Sequence, residues 1–302
     1  MVLPKEMDSL TQQLSLLALF FEAKYQPAIA NQLRHLADRL NPGSGASAEA
    51  PKSKTTAWKA SMSEKARQII PIGGGGFYRD PENLELEKYV IRQSGVENAR
   101  VAFVPTASGE PDHYLASFYS AFLKLGCRPS VLTLFKRTPD LRSFLLNQDV
   151  IYVGGGNTKS LLALWRDWGV VEILREAWQS GVVLTGVSAG AICWFEQGLT
   201  DSFSDGLRPL DCLGLLPGSC CPHYDGEVQR RPSYHRLLAS GELAAGVAIE
   251  DWTGVHFIGT EIHKVITSKR GSRAYSMRAV YGSVQEVPLP AEFLETSPAD
   301  TV

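Results

Sequence analysis

The sequence predicts an α/β protein, a mostly parallel sheet covered by helices on both faces, with a helical appendage at the N-terminus. Three observations predict it. Five short apolar runs, QIIPI (68–72), RVAFV (100–104), SVLTLF (130–135), DVIYV (149–153) and GVVLTGV (181–187), have the length and β-branched content of buried strands. The intervening segments 82–94, 112–126, 139–147 and 159–179 have helical apolar spacing, the last broken at Gly169. Glycine-rich turns GGGGF (73–77), GGGNT (154–158) and GVSAG (186–190) each follow a strand, at the carboxyl ends where such sheets bind ligands.

Before these elements, residues 8–40 carry apolar positions at helical spacing, Leu10, Leu14, Leu17 and Phe21, then Ile29, Leu33, Leu36 and Leu40, with Pro27 near the break. Residues 1–42 are therefore read as a helical hairpin, 43–65 as a Pro/Gly/Ser/Ala-rich linker and 66–302 as the body. The hairpin is expected to make a homodimer contact or to cover an apolar patch of the body. Its run LSLLALFF (14–21) is too short to span a bilayer, and Glu6 and Asp8 ahead of it disfavour a signal peptide. Beyond residue 205 the pattern loosens into Gly/Pro-rich turns up to about 233, followed by strand candidates 247–250, 255–258 and 264–267.

With 302 residues, 44% of them hydrophobic, the chain can bury a large core. Its formal charge of −2, with Lys and Arg scattered, offers no field for nucleic acid, so a small molecule or peptide is the expected partner. Five cysteines without zinc spacing read as free thiols in a reducing cytoplasm. Neither a metal nor a cofactor is expected.

GVSAG has the form of a nucleophile elbow, in which a serine on a strained strand-to-helix turn points its Oγ out of the sheet. Ser188 is the candidate nucleophile, and the Ala189 N–H lies where an oxyanion would form. The competing reading is that these small residues only let strand and helix approach closely. GGGNT lacks the lysine of a phosphate-binding loop, so it is read as a second oxyanion donor, the Gly156 N–H, with Asn157 fixing the loop on the substrate side, or else as a plain tight turn. Of six histidines, His35 and His113 read as surface residues, while His235, His256 and His263 lie in or beside regular elements. His223, in the irregular loop CCPHYDGE, is the candidate base. The acid that would orient it is drawn from Asp251, Glu250 and Asp201; only one of the neighbours 250 and 251 can face it from an extended backbone.

The run IYVGGGNTKSLLALW…GVVLTGVSAGAICWFEQGLTDSF…CCPHYDGE resembles the peptidase E and cyanophycinase family of serine peptidases, most closely the peptidase E branch, over residues 67–280. The resemblance implies a class I glutamine amidotransferase-like, three-layer α/β fold and a metal-free Ser-His-acid hydrolase. It matches Ser188 to the nucleophile, His223 to the base, Gly156 and Ala189 to the oxyanion hole, and Asp251, ahead of Glu250 and Asp201, to the acid. Members that select an N-terminal aspartate carry an arginine just beyond the histidine. Here that register falls on Gln229, beside Arg230 and Arg231, which are the candidate side-chain binders. The expectation is a serine exopeptidase acting on short peptides with a free N-terminus, some beginning with Asp. Its rivals are cyanophycinase-like hydrolysis of β-Asp-Arg peptides and a non-catalytic binder on the same scaffold. An α/β hydrolase assembled from Asp225 or Asp251 with His256 or His263 is disfavoured, because the best histidine precedes the favoured acid.

Overall fold

The computed structural model describes residues 65–295. The N-terminal hairpin and most of the linker read from the sequence lie outside them. The strands are β1 (Gln68–Ile72), β2 (Arg100–Val104), β3 (Arg128–Val131), β4 (Val150–Val153), β5 (Val183–Val187), β6 (Phe195–Phe203), β7 (Gly206–Asp211), β8 (Leu216–Cys221), β9 (Gly246–Ile249), β10 (Thr253–Ile258), β11 (Glu261–Thr267), β12 (Ala274–Val280), β13 (Ser283–Leu289) and β14 (Ala291–Phe293). The helices are α1 (Glu85–Gln93), α2 (Asp112–Lys124), α3 (Leu141–Leu146), α4 (Thr158–Asp167), α5 (Val170–Gln179), α6 (Ala189–Ile192) and α7 (Arg230–Ser240).

Eight strands form one sheet in the order β14-β11-β10-β1-β5-β4-β2-β3, and the five from β1 to β3 in that order run parallel. Alternation along each strand feeds two separate apolar layers. Ala102, Val104, Ile151 and Val153 face one layer with Trp165, Leu174 and Trp194, whereas Val101, Phe103, Val150 and Tyr152 face the other with Phe118 and Phe122. Phe77 is the hub of the second layer, its ring 5.4–5.9 Å from those of Phe103, Tyr114, Phe118, Phe122 and Tyr152. Truncating it to alanine would cost about 3–5 kcal/mol. As expected, the segment 159–179 breaks at Gly169, whose left-handed φ of 66° separates α4 from α5.

The second half departs from the expected pattern. Ser188 is followed by a single helical turn, after which the chain passes into β6. A second sheet, β13-β12-β9-β8-β6-β7, takes in the stretch read as Gly/Pro-rich turns, where β7 and β8 form, while β9, β10 and β11 fall on the strand candidates at 247–250, 255–258 and 264–267. Its strands alternate incompletely, FEQGLTDSF and LPGSCC being half polar and glycine-containing, so period 2 was masked. No helix among the described residues is long and apolar enough to cross a membrane.

Strand register positions the two halves of the site. In the large sheet Ile72 pairs with Val187 and Val153 with Gly186, which brings the turns after β1, β4 and β5 together at one end. In the small sheet β8 runs parallel to β9, with Cys221 opposite Ala248, so the residues just past both strands are also neighbours. The chain crosses from β9 to β10, and so from the small sheet to the large one, through residues 250–252.

Candidate active site

Ser188 stands at the junction of β5 and α6 with φ 59° and ψ −113°, a conformation that costs an L-residue about 1–3 kcal/mol. Its own backbone bonds over-determine that conformation: the N–H donates to Ile72 O (3.1 Å), and its carbonyl accepts from Ala191 (2.8 Å) and Ile192 (3.0 Å). The flanking glycines are required sterically. A Cβ at Gly186 would lie 2.6 Å from Gly190 O, and one at Gly190 would lie 2.2 Å from Val153 O. Close strand–helix packing and a strained, outward serine are thus one geometry, not two competing readings.

His223 and Trp252 are also left-handed, at φ 53° and 67°. Both are tied to the turn after β1: His223 N–H donates to Gly73 O (3.2 Å) and Trp252 N–H to Gly74 O (2.8 Å), while Gly73 N–H donates to Thr253 O (2.9 Å). Only glycine fits this strap. A Cβ on Gly74 would meet Asp251 Oδ1 at 1.9 Å and His223 Nδ1 at 2.6 Å, and one on Gly75 would meet the Trp252 ring at 2.6 Å.

His223 Nδ1 lies 2.7 Å from Asp251 Oδ1. Burial works against the Asp251 charge, but the His223 hydrogen bond and the charges of His223, Arg79 and Lys269 hold its carboxyl below the usual range. An ionised carboxylate has no proton to donate, so Nδ1 must be the donor and, in the neutral ring, Nε2 is left as the unprotonated base. Ser188, His223, Gly155, Arg79, Tyr78 and Tyr114 line one cleft of about 250 Å³. Gly155 abuts the serine, since a Cβ there would lie 3.7 Å from Ser188 Oγ. Among the described residues no acceptor occupies the N–H of Gly156 or of Ala189.

The other residues singled out in the sequence lie as follows. Asn157 caps α4, its Oδ1 accepting from Ser160 N–H (2.8 Å) and its Nδ2 donating to Ser202 O (3.3 Å), and so fixes the loop after β4. Glu250 turns away from His223; its carboxylate accepts from Arg273 N–H (2.7 Å) and Tyr275 Oη–H (2.8 Å). Asp201 is solvent-facing, 3.6 Å from Arg230 Nη2. The Arg230 side chain is only 2% exposed and is held by Glu227 (2.6 Å) and Leu199 O (2.9 Å). Arg231 pairs with Glu286 (2.8 Å) and stacks over Tyr224. Neither arginine is among the cleft-lining residues. Asp225 accepts the Asp251 N–H (2.8 Å), and His256 is buried between Tyr89 Oη (2.8 Å) and Gln68 Oε1 (3.0 Å), where burial pushes its pKa down to about 4.

Sequence reasoning missed Arg79, whose Nη1 donates to Asp251 Oδ2 at 3.1 Å, and the cleft walls Tyr78 and Tyr114. His113, read as a surface residue, is exposed but also lines the cleft. The one pointer available was the adjacency of Tyr78 and Arg79 to GGGGF, because the Arg79–Asp251 contact spans 172 residues.

The comparisons with known proteins place the chain in a family. The model of Peptidase family S51 matches residues 69–265. The Bacillus subtilis (strain 168) protein named Uncharacterized peptidase YgaJ is 50% identical over 229 residues, covering 76% of this chain and 99% of that protein. Peptidase E of Shewanella denitrificans is 28% identical, over 63% of this chain and 81% of its own. A crystal structure of a peptidase from an acI-B1 Actinobacterium shares the fold with a TM-score of 0.57 at 19% identity, over 76% of this chain and 96% of its own. A cleft-facing serine on a strained turn, and a family model spanning the strands that position it, lead to one conclusion: the chain belongs to peptidase family S51 and is a serine-type peptidase.

Proposed function

We propose that the protein hydrolyses dipeptides or short peptides from a free N-terminus through Ser188, His223 and Asp251. The observation that carries this reading is the 2.7 Å Asp251–His223 bond beside a cleft that Ser188 also lines. Ser188 Oγ attacks the scissile carbonyl while His223 Nε2 takes its proton, and the tetrahedral oxyanion is received by the Gly156 and Ala189 N–H groups. His223 then protonates the leaving amine, leaving an acyl-enzyme. A water, deprotonated by the same nitrogen, releases the acid and regenerates the serine. Asp251 stabilises the imidazolium formed in each half-reaction.

The cleft lining includes one guanidinium, Arg79, together with aromatic rings, which suits one short peptide better than a polymer of repeated charged side chains. Selection of an N-terminal aspartate through Arg230 or Arg231 would require either to leave its present acidic partner. The reading is tested with dipeptides varied at the first residue, Asp against Glu, Ala and Leu, on wild type and Ser188→Ala. Turnover in the wild type that collapses in a folded Ser188→Ala protein is expected. Equal turnover by both would overturn the proposal, and the ranking of the panel gives the side-chain preference.

A further inference from the structure

Asp251 must present one chosen oxygen to His223, yet a carboxylate is symmetric and its terminal torsion is soft. Backbone closes on it from two sides, at positions only glycine can take: a Cβ at Gly74 would lie 1.9 Å from Oδ1, and one at Gly226 would lie 2.7 Å from Oδ2. Asp225 anchors the Asp251 N–H, which fixes the main chain but not the side chain. The contact that distinguishes the two oxygens is Arg79, whose Nη1 reaches Oδ2 while His223 holds Oδ1.

We propose that Arg79 is a positioning residue for the hydrolysis, clamping Asp251 Oδ2 so that Oδ1 stays on His223 Nδ1 through the catalytic cycle. This rests on the Ser188–His223–Asp251 reading above. The Arg79 side chain is 57% exposed, so its ion pair adds little to folding, and its substitution should leave the fold intact. It also belongs to the same segment, 73–79, whose glycines strap His223 and Trp252. One turn thereby supplies both the backbone that holds the histidine and the cation that holds its acid.

The charged and titratable groups facing Asp251 are His223, Arg79, Lys269 and Asp225. Removing the Arg79 cation makes protonation of the histidine–aspartate pair easier. The acid limb of the kcat/KM profile should therefore move to higher pH, and the Asp251 carboxyl, followed by 13C NMR, should titrate at higher pH. Arg79→Met should lower kcat roughly 10-fold, less than the ~10²-fold cost of a full 1 Å misplacement, with KM little changed. Arg79→Lys should restore most of kcat and both pH midpoints. If Arg79→Met keeps wild-type kcat and an unmoved Asp251 titration while Ser188→Ala abolishes turnover, the positioning role is refuted and the triad reading stands. If Ser188→Ala is fully active, the triad reading fails. The NMR titration still decides whether Arg79 acts on Asp251, an unmoved midpoint refuting it.

Discussion

Two carboxylates flank the turn after β1, and the protein treats them in opposite ways. Asp251 lies buried against Gly74 and Gly226, with cations and the His223 ring around it, and stays ionised. Glu87, in α1, lies on the other side beneath Gly76, fully buried among aromatic rings. Burial pushes its carboxyl up to about 7, against the pull of the Phe77 N–H that donates to its Oε1 (2.9 Å). The Tyr152 hydroxyl is close by and also pulls the carboxyl down. In the proposed mechanism the charge on one side of the loop serves chemistry, whereas the acid on the other side, its carboxyl pushed up to about 7, accepts the Phe77 N–H and supports the loop. The difference lies in which neighbours remain when water is removed.

Breaking the ionised side should have the largest effect. Asp251→Asn keeps the shape but presents an amide that can donate to Nδ1, favouring the wrong histidine tautomer. A kcat loss of about 10⁴ is expected in steady-state peptide hydrolysis, with the melting temperature little changed.

On the neutral side the effect is on stability, and its sign follows from the shift. The folded-state value near 7 exceeds the ordinary 4.5, so the folded protein binds the proton more tightly. Stability from this group is full at low pH and is lost between about 4.5 and 7, a fall of about 3 kcal/mol. Glu87→Gln removes that slope. Urea unfolding from pH 4.5 to 8 should therefore show the variant gaining on wild type by about that amount, and parallel profiles would contradict the assignment.

Gly74→Ala attacks the loop itself. Its methyl would collide with both members of the His223–Asp251 pair, and a kcat loss of about 10²-fold is expected from their displacement. The smallest effect is expected at Glu250→Gln. Its carboxylate bonds Arg273 and Tyr275 rather than His223, so kcat should stay within about 3-fold of wild type while stability falls by roughly 1 kcal/mol.

What the sequence disclosed follows from how local each feature is. The elbow at Ser188 is encoded within five residues, and its glycines are individually required by contacts in the next turn and on β4. The parallel half of the large sheet was legible because its strands are continuous apolar runs buried on both faces. Most of the second sheet was not, because β6, β7 and β8 are half polar and glycine-containing and show no clear period-2 alternation; β9, an apolar run, was read. Choosing between Glu250 and Asp251 depended on which side of the crossover faces His223, and that is fixed by β8–β9 register rather than by residue type. Arg79 and Glu87 acquire their roles only from contacts made in three dimensions with Asp251 and with the aromatic layer.

The measurement that bears most directly on the account is kcat for peptide hydrolysis by Ser188→Ala, Asp251→Asn and the double variant, each verified as folded. If Ser188, His223 and Asp251 act as one unit, Ser188→Ala should lose on the order of 10⁶ in kcat, and adding Asp251→Asn should cost nothing further. Independent, multiplying losses, or wild-type turnover by Ser188→Ala, would contradict it.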